Sequence, residues 1–283
     1  MKKITLILSR ALLILTGCVS TKRKNFLILI DPTLSISRTE MQRYITTIQE
    51  TILPNMGEKD RLTIQFIDAC SHYKAERIYS IDLAEMNFTN KADGANHAPD
   101  SVRIRLRRFV LETMNKDIAN TIIAKRKERI GCSNYTDIIN AINEVRSLVE
   151  SQKNYTSKTD MLINNVQGDD SYEYETCLIL FSDMVNENSS RTYDFTKFGQ
   201  LRDQEIKNKV TALKEQNKIP DLARVKILVY GATSTKYVGI YAGKQIENVK
   251  LFWVLFFQSA GAEVRGYGYD TEIELKNYMA SAR

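Results

Sequence analysis

Histidine, cysteine and proline are scarce in this chain of 283 residues, and each scarcity removes a class of chemistry. The 2 histidines are His72 and His97, and no Gly-x-Ser-x-Gly elbow accompanies them, so Ser-His-Asp hydrolysis has no framework. His97 shares a polar stretch with Asp93 and Asp100 that reads as a solvated loop. No glycine-rich phosphate loop and no Cys-x-x-Cys pair occurs, which argues against P-loop nucleotide binding and thiolate zinc sites. With 4 prolines and 12 glycines, global disorder is not indicated. No apolar run is long enough to span a bilayer in the mature chain, and no internal repeat is visible.

What remains is an ordinary globular composition, 43% hydrophobic and 26% charged, enough for one large domain with a sizeable core. The first segment is the exception. Lys2 and Lys3 precede an apolar stretch, interrupted by Arg10, that closes at Leu15-Thr16-Gly17-Cys18. A charged start, a short apolar run and small residues at a cleavage point describe an export signal. The last four residues resemble a bacterial lipobox. The resemblance implies cleavage before Cys18, lipidation of its thiol and a cell-envelope location. The expected organisation is a signal peptide over 1–17, a lipidated N-terminus and linker over 18–24, and one domain over 25–283. Removing 1–17 lowers Lys+Arg from 40 to 37 against 34 acidic residues. That mild balance is far from a nucleic-acid footprint, and none is expected as a partner.

Strand and helix patterns alternate along the rest. Residues 26–30 form a continuous apolar run, as for a strand buried on both faces. Residues 39–53 have helical spacing through Met41, Tyr44, Ile45, Ile48 and Ile52, with Pro54 at the end. Residues 61–67 and 77–81 read as strands, the second at an edge. Residues 87–100 read as a loop, 101–129 as a long basic helix and 136–149 as a helix. Residues 152–175 are polar and aperiodic, an expected insertion. Strands follow at 176–181, 225–230 and 264–269, and helices at 198–216, 249–259 and 271–282. This order predicts an α/β fold with a mainly parallel central sheet, one antiparallel edge strand and helices on both faces. Ligands of such sheets bind beyond the carboxyl ends of the strands.

The residues at those ends carry the chemistry. Asp31-Pro32-Thr33-Leu34-Ser35 follows the first strand, Thr136 opens a helix after Gly131–Tyr135, and Ser182-Asp183 follows the later apolar strand. Asp31, Thr33 and Ser35 resemble the Asp-x-Ser-x-Ser motif of von Willebrand factor A domains, with Thr136 and Asp183 at the places of that family's metal-site Thr and Asp. The aromatic segment Phe252, Trp253, Phe256 and Phe257, followed by Gly261 and Tyr267, looks like the end of bacterial members. The resemblance runs from about Phe26 to the C-terminus. It implies a three-layer, Rossmann-like domain with a metal-ion-dependent adhesion site. Mg²⁺, or Mn²⁺ or Ca²⁺, would be held by Asp31, Thr33, Ser35, Thr136 and Asp183, and a partner protein's exposed Asp or Glu would complete the shell. Hard cations favour such oxygen donors. The implied role is protein binding, with no catalytic residue. Thr33 replaces the family's usual Ser, and Pro32 stands where small residues are usual.

The same residues also fit other readings. Asp31 and Thr33 also suit a turn, Thr136 suits a helix N-cap and Asp183 a strand end. Asp31 after an apolar strand resembles the nucleophile of haloacid dehalogenase-like phosphatases, but Thr33 occupies the place of their general acid. Arg103, Arg105, Arg107 and Arg108, with Lys125, Arg126, Lys127 and Arg129, suggest a metal-independent binding module with a basic helix face. The plainer account of that helix is a solvated surface around an apolar face of Val102, Leu106, Phe109 and Val110.

With Cys18 lipidated, Cys70, Cys132 and Cys177 remain, so one bridge at most can form. The expected pair is Cys70 and Cys132, near one end of the sheet. Alkylation of the non-reduced mature chain should therefore label one thiol; three labelled thiols would refute the bridge.

Overall fold

Strand β1, Arg23–Ile30, lies inside the sheet, and its last five residues, Phe26 to Ile30, form an unbroken apolar run. Phe26 to Ile30 are each 0–1% exposed, and burying each such side chain favours folding by about 1.5–3 kcal/mol. A strand this apolar must be covered on both faces. The computed structural model describes residues 23–57, 60–68, 77–83, 100–132, 135–149, 174–187, 195–232, 242–268 and 271–280.

The sheet has six strands in the order β3-β2-β1-β4-β5-β6. Around β1 they are β2 (Arg61–Phe66), β3 (Arg77–Asp82), β4 (Tyr174–Phe181), β5 (Lys226–Tyr230) and β6 (Glu263–Tyr267). All neighbours pair in parallel except β2 and β3, so β3 is an antiparallel edge. The helices are α1 (Arg38–Thr47), α2 (Asp100–Glu128), α3 (138–149), α4 (Asp203–Glu215), α5 (Ala242–Ser259) and α6 (Thr271–Ala280). Apolar residues of α3, α4 and α5 pack with Leu27, Leu29, Leu178 and Leu180 on one face. Those of α1, α2 and α6 pack with Phe26, Ile28, Ile30 and Ile179 on the other. Alternation along each strand thus feeds two separate cores. The result is a mixed α/β, three-layer arrangement consistent with a Rossmann-like fold, as the sequence predicts.

Several boundaries differ from expectation. The helix predicted over 39–53 is regular only to Thr47; Ile48–Ile52 is a π turn and Leu53–Asn55 a 3-10 turn. Pro54 lacks the N–H needed to continue an α-helix. Strand β4 starts at Tyr174, so Tyr174 and Glu175 are not part of an insertion. Polar residues hide this start, but Tyr174 lies under the Arg61 guanidinium (4.2 Å to the ring centroid), and Glu175 pairs with Lys226 at 2.9 Å. The helix expected over 198–216 is broken. A 3-10 turn, Phe195–Gln200, precedes α4, and Asn248 holds the break by donating to the carbonyls of Phe198 and Leu201. Helix α5 begins at Ala242, earlier than expected. The expected loop at 87–99 and the stretch 151–173 lie outside the described residues. So do Cys70 and the side chain of Cys132, and with them the expected bridge; Cys177 is buried and free.

Gly231 ends β5 with φ +78°, and an added Cβ would fall 2.0 Å from the Tyr44 hydroxyl. Gly231→Ala should therefore cost at least about 2 kcal/mol in denaturant unfolding, since strain and overlap act together. Tyr44→Phe should cost less than about 1 kcal/mol, because the buried hydroxyl makes no hydrogen bond among the described residues.

Candidate functional site

The parallel register sets one row of residues just past the strands. Ile30 lies opposite both Phe66 and Phe181, and Phe181 lies opposite Tyr230. The next residues, Asp31, Ile67, Ser182 and Gly231, are therefore neighbours. The ladder continues through them, with Asp31 N donating to Phe181 O (2.8 Å), Ile67 N to Ile30 O (2.8 Å) and Ser182 N to Tyr230 O (3.1 Å).

Asp31 is fully buried at the centre of this row. Its Oδ1 accepts from Thr33 N (2.9 Å) and Thr33 Oγ1 (2.6 Å). Its Oδ2 accepts from Ser182 Oγ (3.1 Å), with Thr136 Oγ1 at 3.5 Å. Thr33 Oγ1 also lies 2.8 Å from Ser35 Oγ and 3.3 Å from Thr136 Oγ1. Three segments far apart in sequence thus meet around one carboxylate. Thr33 and Thr136 are buried, while Ser35 is half-buried and Leu34 projects at 77% exposure. Asp183 is also buried; its Oδ1 accepts from Val185 N at 3.0 Å.

Local devices fix each loop. The Asp183 turn places Met184 at φ 62°, a left-handed conformation uncommon outside glycine. Ser182 Oγ accepts from Met184 N (2.9 Å), and Trp253 Nε1 donates to Met184 O (2.8 Å). The Thr136 loop is tied to the same turn, because Glu187 N donates to Thr136 O at 2.8 Å. Asn186 Oδ1 accepts from Ile138 N and Ile139 N and so caps α3. Asp137 contributes to the same cap by accepting from Asn140 N.

The loop after β1 has its own clamp. Arg126 on α2 donates from Nε to Pro32 O (2.9 Å) and from Nη2 to Thr33 O (3.0 Å) and Ile36 O (2.7 Å). Pro32 costs the loop little here: the donor nearest the carboxylate comes from Thr33, and the Pro32 carbonyl is satisfied. Arg129 reaches Asp68, just past β2, with a two-point ion pair at 2.6 and 2.7 Å. In the sequence both arginines belong to the exposed basic face of this helix. Arg129 is instead buried, Arg126 is half-buried, and the Arg107 guanidinium donates to Met56 O. The expected apolar face of α2 is borne out only in part: Val110 packs against the core, Leu106 and Phe109 are 42% and 67% exposed, the side chain of Val102 lies outside the described residues, and Met114, Ile118 and Ile122 supply the buried contacts. A single sequence gives no sign of which basic residues on a helix meet loop carbonyls.

The electrostatics follow from burial. Desolvation, and next the nearby charge of Asp183, push the Asp31 carboxyl up to about 7, against the opposing hydrogen bonds of Thr33 and Ser182. Desolvation also lowers Arg126 from its ordinary value. Adjacent oxygens of an octahedral Mg²⁺ shell lie about 3 Å apart, given bonds of roughly 2.0–2.1 Å. The spacings among Asp31, Thr33, Ser35 and Thr136 run from 2.6 to 3.5 Å. The donor set is all oxygen and suits a hard divalent cation. No cluster of three His, Cys, Asp or Glu side chains able to hold a metal occurs among the described residues; here hydroxyls supply the donors. Compared with known proteins, the chain matches no family model and no curated sequence.

The sign of the pH effect is set by the raised carboxyl. Between its ordinary value of 3.8 and about 7, the native state holds a proton at Asp31 that the unfolded state has released. This group's contribution therefore makes the metal-free protein less stable as pH rises through that window. Thermal midpoints without divalent ions should show this loss relative to Asp31→Asn, in which it is removed; identical pH profiles for the two proteins would refute it.

Proposed function

We propose that this chain is a lipid-anchored protein-binding module of the cell envelope. It grips an acidic side chain of a partner protein through a divalent cation at the end of its central sheet. The observation that carries this reading is the meeting of Thr33, Ser35 and Thr136 hydroxyls around the buried Asp31, with Asp183 beside them. Asp31, Thr33, Ser35, Thr136 and Asp183 would hold the cation, Mg²⁺ or one of its relatives Mn²⁺ and Ca²⁺. When bound, it supplies an electrophilic centre for an incoming carboxylate and offsets the cost of two buried acids.

The residues of the chain do the rest. Hydroxyl donors add no negative charge, so attraction for a further carboxylate is preserved. Arg126 and Trp253 hold two of the three loops before any partner arrives, which lowers the ordering cost of binding. The lipobox-like Leu15-Thr16-Gly17-Cys18 supports anchorage at Cys18. No helix among the described residues is long and apolar enough to cross a membrane.

Titration calorimetry of the purified chain with MgCl₂ or MnCl₂ tests the cation. Saturable binding is expected, with Thr33→Ala weakening it by at least about tenfold and Asp31→Ala with Asp183→Ala abolishing it. Unchanged binding in the double variant sinks the site. A pull-down in Mg²⁺ compared with EDTA should then recover a partner only with the metal. Recovery in EDTA that is lost at high salt instead favours the metal-independent reading.

A further inference from the structure

We infer that the first turns of α2 rest on the anionic lipid surface to which the chain is anchored, so that the Asp31 site faces away from the membrane. The inference relies on the reading of Cys18 as lipidated. Two contacts fix the direction of α2. Near its start, Arg107 donates to Met56 O; near its end, Arg126 donates to Pro32, Thr33 and Ile36 carbonyls beside the site. Met56 belongs to the end of the sheet where β1 begins: Gly57 N donates to Asp60 Oδ2 (2.6 Å), and Asp60 Oδ1 accepts from Lys24 N (2.8 Å). From Arg107 to Arg126 an α-helix rises about 28 Å. The site and the start of β1 therefore lie at opposite poles.

The tether makes this polarity matter. From Cys18 to Arg23 a fully extended chain spans at most about 18 Å. A lipid on Cys18 thus holds the start of β1, and the first turns of α2 with it, close to the bilayer. The side chains there suit that neighbour. Ile104, Leu106 and Phe109 are 51%, 42% and 67% exposed, and Arg105 and Arg108 are exposed among them. Ile104 and Arg108 also line a groove against Leu53 and Pro54. Apolar side chains interleaved with arginine are what an interfacial helix offers to the headgroup and acyl boundary.

The molecule provides a clean optical test, because its single tryptophan, Trp253, is fully buried. The processed, membrane-purified chain carrying Phe109→Trp would be reconstituted into vesicles of phosphatidylcholine and phosphatidylglycerol with brominated acyl chains. Its added emission should be quenched about twofold, as for a side chain at the acyl boundary. Leu34→Trp, at the opposite pole, should be unaffected. Arg105→Glu with Arg108→Glu should relieve the quenching, as should vesicles of phosphatidylcholine alone. Intact mass reports acylation of Cys18 separately. An unacylated Cys18 removes the anchor and this orientation together. An acylated Cys18 with Phe109→Trp unquenched, or with Leu34→Trp quenched instead, overturns the orientation alone and leaves the anchor and the metal site standing.

Discussion

A carboxylate sealed inside a protein is costly, and the placement of Asp31 governs much of what surrounds it. Its neighbours come from three loops, and every one of them offers a hydroxyl or an amide rather than a cation. The nearby Asp183 worsens the charge problem. Elsewhere at the same sheet end, Asp68 is paired directly with Arg129. Two acids just past adjacent strands thus meet different treatments: Asp68 is paired directly with an arginine, and Asp31 is hydrogen-bonded by hydroxyls and an amide, with Arg126 acting on it only across the loop. The difference separates a structural ion pair from a buried carboxyl held by neutral donors.

Helix α2 links that centre to the rest of the domain. Met114, Ile118 and Ile122 bury one side of it, its last turn supplies Arg126, and Arg129 follows just past its end. The loop after β1 is therefore braced from outside the sheet, while the Asp183 turn is braced from the other face by Trp253. The two cores lie on opposite faces of the strands, and the site sits where both layers contribute.

The layer order and the sheet end are legible in the sequence because β1, β4 and β5 carry runs of apolar residues, because Asp31 and Asp183 come just after two of those runs, and because Thr136 opens a periodic helical segment. What stayed hidden was of two kinds. Polar starts of elements, such as Tyr174 and Glu175, are held by partners distant in sequence. The role of Arg126 rests on carbonyl acceptors, which every residue has and none advertises. The buried face of α2 is only partly legible for a related reason. Leu106 and Phe109 have the right spacing for burial, but the sheet meets the helix further along, at Met114 to Ile122.

The pairing of β1 with β4 carries a further consequence. Ile30 lies opposite Phe181, so the centre of the sheet closes only when chain segments some 150 residues apart have both been made. Until then β1 has β2 as its parallel neighbour and one side left open. Such a topology delays compaction well beyond the emergence of the first strand.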